Sequence, residues 1–218
     1  MPEVSGGILW ADDVNKRFYL FGGDNAVYGG QYVTAPPSQY TFYSYDVLYN
    51  QWEDFGVPPP AINSVSWGAG VGISEFGQGY YLGGWLSNLS ISGWDGPPFA
   101  TNSLIKYDYD LQVWTNNTGP FSDGLAEGVM VYIPASLSGL LVYFGGVTVN
   151  SSGVEEPLPM DEIFIYDIQS SKWYNETAYG DVPPERRKFC AGSAWAEDQS
   201  SYNMYVQDSI SNTEKLTF

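Results

Sequence analysis

The sequence of 218 residues contains no histidine, one cysteine and only 8 basic residues against 25 acidic ones, which gives a net charge of −17. Without histidine the chain cannot form Ser-His-Asp or Cys-His catalytic sets, zinc deaminase sites or any metal site that needs imidazole. A single cysteine excludes internal disulfides and Cys-x-x-Cys sites. The acidic balance argues against nucleic acid as a partner, because phosphate groups bind to basic surfaces. We therefore predict no metal, no cofactor and no nucleic-acid partner.

Long apolar runs are also missing. No stretch of about 18 apolar residues is present, so we expect no membrane insertion by this chain. The N-terminus shows neither a basic region nor an apolar leader, and no signal peptide is visible. Four Asn-x-Ser/Thr sequons favour a glycosylated secreted domain whose leader lies outside this sequence, although polar loop chemistry explains them equally well. The compartment stays open at this point. The sequons are Asn88, Asn116, Asn150 and Asn175.

Aromatic residues and glycine are abundant, and they recur in order. Three segments each contain an apolar run that ends in Gly-Gly, a polar insertion, an aromatic run that ends in Tyr-Asp, and a tryptophan six residues after the aspartate. First glycines are 61 and 62 residues apart, and tryptophans 62 and 59. This agreement predicts an internal repeat of about 60 residues. The motif residues are Gly22, Gly23, Tyr45, Asp46 and Trp52; Gly83, Gly84, Tyr107, Asp108 and Trp114; and Gly145, Gly146, Tyr166, Asp167 and Trp173.

Each repeat is predicted to be a four-stranded antiparallel sheet, because its short runs are rich in tyrosine, phenylalanine and branched aliphatic residues. The Gly-Gly pair is expected where another backbone comes too close for a Cβ atom. The tyrosines and tryptophans are expected to fill the space between stacked sheets. The repeated aspartates are interpreted as hydrogen-bond acceptors at turns. In the first repeat we place the strands near 7–12, 17–22, 40–46 and 50–54.

This pattern resembles the kelch repeat, whose units form the blades of β-propellers. Residues 4–12 and 186–192 also resemble kelch proteins of filamentous fungi. The resemblance implies an all-β fold, a kelch-type β-propeller. It further implies an extracellular or cell-surface glycoprotein for the full-length relatives, which are usually larger and often carry a leader and a membrane helix.

The propeller is expected to be incomplete. A fourth repeat begins with two strand-like runs, but its Gly-Gly, third strand, Tyr-Asp and tryptophan are missing from the sequence. Kelch propellers usually have six or seven blades, so we expect a fragment that needs further blades or a second chain to close. The predicted units of this single partial propeller (1–218) are blade 1 at about 5–57, blade 2 at 64–119, blade 3 at 124–179, a partial blade 4 at 185–206 and a divergent tail at 207–218.

The insertions between second and third strands, at 24–39, 85–101 and 147–160, should project from one rim of the propeller. Loops on a rigid scaffold often carry recognition, and aromatic rings beside carboxylates suit a sugar ring. The alternative is that the aromatic side chains only pack these loops down. The candidate ligand residues here are Trp85, Trp94 and Asp95, accompanied by Tyr28, Tyr32, Glu155 and Glu156.

Two further candidates, Arg186 and Arg187, precede a predicted innermost strand, where the kelch resemblance places side chains that face the central channel. They suit an anionic or carboxylate ligand, or ion pairs with the acidic surface. Cys190 is predicted to be a small buried hydrophobic residue.

A non-enzymatic interaction scaffold with an unknown protein or glycan partner is the favoured function, and no catalytic residue is predicted. The alternatives are a glycan-binding surface domain and, less favoured, a propeller hydrolase that uses carboxylates alone. The hydrolase needs two carboxylates from different blades about 5–10 Å apart. Kelch-type copper oxidases resembling galactose oxidase, and the iron-dependent plant specifier proteins, are disfavoured because their histidine ligands are missing.

Overall fold

Short antiparallel strands make up nearly all of the regular structure, because runs of branched and aromatic residues alternate with glycine-rich turns. The structure is a computed structural model, and it describes residues 3–28, 32–34, 36, 37, 40–207 and 213–216. The helical structure in those ranges is one 3-10 turn, Ser74–Phe76. The predicted all-β fold is confirmed. The strands are β1 (Val4–Ser5), β2 (Ile8–Asp12), β3 (Arg17–Phe21), β4 (Asp24–Tyr28), β5 (Tyr32–Thr34), β6 (Tyr43–Asp46), β7 (Gln51–Asp54), β8 (Ala69–Ile73), β9 (Gln78–Leu82), β10 (Trp85–Leu86), β11 (Phe99–Ala100), β12 (Ser103–Asp108), β13 (Val113–Thr118), β14 (Gly124–Ala126), β15 (Val129–Ile133), β16 (Leu140–Phe144), β17 (Val147–Val149), β18 (Glu155–Pro157), β19 (Glu162–Asp167), β20 (Lys172–Thr177), β21 (Cys190–Trp195), β22 (Tyr202–Gln207) and β23 (Thr213–Leu216).

Four antiparallel sheets, named sheets 1 to 4, follow one another along the chain. Their strand orders are β2-β3-β6-β7, β8-β9-β12-β13, β15-β16-β19-β20 and β21-β22-β23. The first strands contact one another in chain order, β2 with β8, β8 with β15 and β15 with β21. The sheets therefore pack face to face along a shared inner edge, as in a kelch-type propeller. The number of blades and their boundaries stay predictions.

Hydrophobic side chains fill the space between successive sheets. Between sheets 1 and 2 the core is aromatic, with Trp10 stacked on Phe21 at 5.2 Å between ring centroids. Between sheets 2 and 3 it includes Tyr80 and Phe164. Between sheets 3 and 4 it is mostly aliphatic, with Met204 and one buried phenylalanine, Phe144, among its members. Each sheet thus buries one face against the next, which is where the hydrophobic stabilisation of this fold arises.

The Tyr-Asp and tryptophan motifs form the outer hairpin of sheets 1 to 3. In each hairpin the tyrosine lies directly opposite the tryptophan on the neighbouring strand. The ring centroids are 5.3, 4.4 and 5.0 Å apart in the three sheets. Each aspartate accepts hydrogen bonds from backbone N–H groups of the turn that follows, as Asp46 does from Leu48 and Tyr49. The turn residue four positions after the aspartate has a left-handed φ in all three hairpins, and this turn geometry accounts for the spacing of six residues.

The first glycine of each Gly-Gly pair lies against the next repeat. Gly83 has a φ of +69°, and a Cβ atom there would overlap the carbonyl oxygen of Leu125. Gly22 stands in the same relation to the carbonyl oxygen of Val65. The second glycine then donates its N–H to that same carbonyl, at 2.7 Å from Gly84 to Leu125. These pairs therefore join neighbouring sheets through the backbone, at a distance that a side chain would prevent.

The insertions between second and third strands are paired strands rather than open loops. Together with β1 and β14, which precede the first strands of sheets 1 and 3, they form three small sheets, which we name ribbon 1 (β1-β4-β5), ribbon 2 (β10-β11) and ribbon 3 (β14-β17-β18). Ribbon 1 joins the second insertion through the N–H of Asn25, which donates to the carbonyl of Leu89 at 2.8 Å. Ribbon 2 contacts ribbon 3 through β11 and β14. The three ribbons consequently lie side by side on the same side of the molecule.

Sheet 4 differs from the sequence-based expectation in two respects. No third strand was predicted there, yet β23 pairs antiparallel with β22 over Met204–Gln207. A backbone ladder needs no Tyr-Asp motif, because any extended segment satisfies the N–H and C=O groups of an open strand edge. Cys190 was predicted to be buried but is exposed. Its equivalents Ala69 and Val129 face the following sheet, and no fifth sheet covers it in the described ranges.

Candidate functional site

A chain of backbone hydrogen bonds links the four repeats just before their first strands. The N–H of Trp67 donates to the carbonyl of Gly6 at 2.7 Å, that of Glu127 to Trp67 at 2.6 Å, and that of Lys188 to Glu127 at 2.8 Å. The four residues lie 60 or 61 positions apart in the sequence. All four have a left-handed φ, between 56° and 69°. We call this set the inner ring.

Three residues of the inner ring adopt a conformation that is unfavourable for side-chain-bearing residues, at a cost of about 1–2 kcal/mol each. The N–H to carbonyl bonds between repeats offset this cost. The remaining member of the ring is a glycine, Gly6. Its backbone lies against the indole of Trp67, where a Cβ atom would overlap the ring. The inner ring thereby directs the side chains of Trp67, Glu127 and Lys188 toward one another.

The buried carboxylate of Glu127 is the centre of a polar network. The Nε of Arg187 donates to its Oε2, and the indole Nε1 of Trp85 donates to its Oε1 at 3.2 Å. The Nζ of Lys188 lies 3.5 Å from Oε1 and 4.3 Å from the ring centre of Trp67. Two cations and an indole N–H thus surround one carboxylate, a strongly favourable electrostatic arrangement.

The network fixes the charge of Glu127. Burial alone would raise its pKa, but the hydrogen bond from Arg187, the charges of Lys188 and Arg187 and the hydrogen bond from Trp85 outweigh burial and hold the pKa below its ordinary value. The carboxylate is therefore ionised at neutral pH. Arg187 also donates from its terminal nitrogen to Glu155 at 2.9 Å, and so joins the inner ring to ribbon 3.

A cleft of about 340 Å³, which we call the ribbon cleft, opens between the inner ring and the ribbons. Its walls combine two indoles, from Trp67 and Trp85, with the ion pairs of Arg187. The Nε1 of Trp67 donates to Asp24 of ribbon 1 at 2.8 Å, which holds that indole in place. The cleft also contains Asn88 at its exposed margin. A surface of this kind presents flat apolar rings beside fixed hydrogen-bonding groups, and such surfaces bind peptides or sugars.

A second cavity of about 440 Å³ lies between the first strands of the sheets, where a propeller has its channel. Residues from all four repeats line it, from Gly6–Ile8, Trp67–Gly70, Glu127–Met130 and Lys188–Ala191. It shares Trp67 and Glu127 with the ribbon cleft. The inner ring therefore separates a channel from a cleft that lies toward the ribbons.

The candidate residues from the sequence divide into two groups. Trp85 and Arg187 meet at Glu127 and line the ribbon cleft. Trp94 instead donates its indole N–H within its own loop, to the carbonyls of Gly96 and Pro97 at 2.9 and 3.2 Å.

The remaining candidates lie apart from the cleft. Asp95 is exposed in the loop of Trp94 and is not among the residues that line the cleft. The Nε of Arg186 donates to the carbonyl of Pro184 at 3.2 Å, away from the cleft walls. Of the other insertion residues, Glu155 lines the cleft and Glu156 is exposed on the same strand. The side chains of Tyr28 and Tyr32 lie outside the described part of the structure.

The sequon asparagines all lie in hairpins or loops. Asn88, Asn116 and Asn175 are exposed, and Asn150 is half-buried. The side-chain oxygen of Asn150 accepts hydrogen bonds from two backbone N–H groups of its own turn. Three of the four sequons thus present their side chains to solvent.

Sequence reasoning missed Trp67, Glu127 and Lys188. They share no residue type, so the landmarks that revealed the repeat passed over them. Their signal was positional, since Gly6, Trp67, Glu127 and Lys188 follow one another at intervals of 60 or 61 residues. Asp24 was missed because it is one of 25 acidic residues and carries no motif of its own.

The fold is that of an all-β protein of stacked antiparallel sheets, with a cleft between the inner ring and the ribbons. A kelch repeat-containing protein of Arthroderma benhamiae is 28% identical to this chain over 246 aligned positions. The alignment covers 94% of this chain and 35% of that protein, so the chain spans about a third of this relative's length. A distant kelch-like relationship is thereby supported. No protein-family model matches the chain. In the ranges that the structure describes, no helix is long and apolar enough to cross a membrane.

Proposed function

We propose that this chain is a non-enzymatic kelch-repeat interaction scaffold that binds a segment of another protein in the ribbon cleft. The observation that carries the proposal is the convergence of Trp85, Arg187 and Lys188 on one buried carboxylate, Glu127, with the indole of Trp67 against the ammonium group of Lys188. Because the inner ring and the ribbons hold these side chains in fixed positions, binding costs little ordering entropy. The similarity to a kelch repeat-containing protein supports a scaffold role.

The test is selection of binding peptides from a display library on the immobilised protein. Selected peptides should lose about tenfold or more in affinity for Trp85→Ala and Arg187→Ala, since buried aromatic and arginine residues dominate interface energetics. Trp94→Ala is the matched control, because it removes an indole from the same insertion that lies outside the cleft. Selected peptides that bind all three variants equally would contradict the proposal.

A glycan is the second candidate partner, and the two indoles of the cleft favour it. Sugar rings stack on flat aromatic faces, and their hydroxyl groups donate hydrogen bonds to carboxylates and accept them from amide and guanidinium N–H groups. Screening a glycan array with the wild-type protein, Trp85→Ala and Trp94→Ala separates this candidate from peptide binding. Glycan signal lost only in Trp85→Ala would establish it, and an array without signal would reject it.

The carboxylate hydrolase is the least supported candidate. Glu127 and Glu155 are bridged by the guanidinium of Arg187, and Glu127 is held in its ionised form. A glycosidase acid needs the opposite, a carboxyl group whose pKa is raised so that it carries a proton. Turnover of chromogenic glycosides by the wild type, abolished in Glu127→Gln, would overturn this conclusion.

We further propose that the native protein is a glycoprotein at the cell surface or outside the cell, in keeping with the exposed sequons Asn88, Asn116 and Asn175. Expression with an added secretion leader in a eukaryotic host tests it. We expect a mass decrease on enzymatic removal of N-linked glycans. An unchanged mass would contradict the proposal.

A further inference from the structure

An apolar groove of about 510 Å³ lies between the outer parts of sheets 3 and 4, on a part of the surface that shares no lining residue with the ribbon cleft. We call it the outer groove. Its floor is the face of sheet 3 that bears Val142, Ile163 and Ile165, and its wall is the start of β22 at Tyr202–Met204. The end of β20, at Thr177, borders it.

The equivalent places between the other sheets are filled by the repeat tryptophans. Trp114 of sheet 2 packs against sheet 1, 4.9 Å from Phe42 and 5.3 Å from Phe21 between ring centroids. Trp173 of sheet 3 packs against sheet 2 and donates its indole N–H to the carbonyl of Thr118 at 3.0 Å. Thr177 follows Trp173 by four residues, as Thr118 follows Trp114, so it is the equivalent acceptor in sheet 3.

Sheet 4 supplies no such tryptophan in the ranges that the structure describes. Its short third strand β23 pairs with Met204–Gln207, and no fourth strand follows it there. At the outer end of β22, Tyr202 and Asn203 extend past the pairing with β23 and line the groove. The outer groove therefore corresponds to the place that Trp114 and Trp173 fill beside the preceding sheet in sheets 2 and 3.

We propose that the outer groove binds an extended segment of another polypeptide that carries a tryptophan. The segment lies alongside β23 as the fourth strand of sheet 4, and its indole enters the groove and donates to the carbonyl of Thr177. Strand addition of this kind combines backbone hydrogen bonds with one specific side-chain pocket. The occupant lies outside residues 1–218, because the repeat tryptophans of this sequence, Trp52, Trp114 and Trp173, already belong to sheets 1 to 3; we assign it to a separate polypeptide.

The chain itself provides the probe. A fluorescein-labelled peptide with the sequence of residues 169–179 contains Trp173 in its natural strand context, and the same peptide with Trp173→Ala is its control. Fluorescence anisotropy should show saturable binding of the first peptide and binding weaker by about tenfold or more for the second, as for a buried aromatic anchor. No binding up to about 1 mM, or equal binding of the two peptides, would overturn the proposal.

Two protein variants locate the site. Ile165→Glu places a charge in the groove. Sheet 2 carries a charged residue, Lys106, at the equivalent position, which indicates that the fold accepts a charged side chain there. Val113→Glu adds the same charge at an exposed position of sheet 2 and serves as the control. Peptide binding should be lost in Ile165→Glu alone. Self-association of the wild type that Ile165→Glu abolishes would assign the groove to a second copy of this chain and overturn the proposal.

Discussion

The indole of Trp173 donates a hydrogen bond to the carbonyl oxygen of Thr118, 55 residues away and on the preceding sheet. This bond shows what the repeated tryptophan does. It pairs with a tyrosine inside its own sheet, and it fixes that sheet to its neighbour. A repeat of this type is stable through interfaces between units rather than through each unit alone.

Replacing Trp173 should therefore cost more than replacing the equivalent residue of sheet 1. Trp173→Phe removes the bond to Thr118 and should lower the free energy of unfolding by about 1 kcal/mol. Trp173→Ala should lower it by about 2–3 kcal/mol, because the ring is half-buried. Trp52→Ala is the control, since no sheet precedes sheet 1 in the described chain, and about 1 kcal/mol is expected. Urea unfolding measures all three, and equal losses at Trp52 and Trp173 would contradict the account.

The Gly-Gly geometry gives a second prediction. Gly83→Ala should destabilise the protein by about 3 kcal/mol, because a left-handed alanine is strained and its Cβ would overlap the carbonyl of Leu125. Gly56→Ala isolates the backbone strain, since Gly56 has a φ of +83° and open space around it. We expect about 1 kcal/mol there. Thermal or urea unfolding that ranks Gly56→Ala equal to Gly83→Ala would rule out the close approach of the two repeats.

Acid should weaken the inner ring. The pKa of Glu127 is lower in the folded protein than its ordinary value near 4.5. The stability that the ionised carboxylate contributes is therefore present above that pH and is lost as the pH falls through the folded pKa. Glu127→Gln should lose about 1–3 kcal/mol at neutral pH and show a smaller decrease in stability between about pH 5 and 3. Glu156→Gln, at an exposed carboxylate of ribbon 3, is the control and should unfold with the stability of the wild type. Unfolding measured across this pH range checks both, and a wild-type profile in Glu127→Gln would refute the role given to the network.

The exposed face of sheet 4 can be probed through its one thiol. Cys190 should react with a thiol reagent in the native protein at a rate within about tenfold of that in denaturant, because no described side chain covers it. Mass spectrometry after timed labelling gives the two rates. Strong protection of Cys190 in the native state would mean that sheet 4 is covered in solution, contrary to the exposed face described above.

Much of the fold could be predicted from the sequence, because its landmarks are residue types with one physical role. Tyr107, Asp108 and Trp114 recur in type and spacing, so the outer hairpins were visible as a pattern. The inner ring was not visible, since its positions are defined by a left-handed backbone that Trp67 and Glu127 adopt without any shared side-chain chemistry. Sheet pairing also escaped prediction where it depends on backbone alone, as in β23 and the ribbons.

The candidate site was predictable in part for the same reason. Trp85 stood out as a rare residue type in an insertion, and Arg187 stood out as one of only 8 basic residues. Their meeting at Glu127 depends on contacts between residues 42 and 60 positions apart. Trp94 had the same sequence signal as Trp85, yet it bonds within its own loop. Composition and spacing identify an indole but do not determine the direction in which its ring points.

The most direct test of the central claim is hydrogen–deuterium exchange of the protein with and without a peptide selected on it. The account predicts slower exchange on binding in residues 85–89, 126–128 and 155–157 and around Arg187, which together surround the ribbon cleft. Protection confined to other parts of the surface, with these residues unchanged, would contradict it.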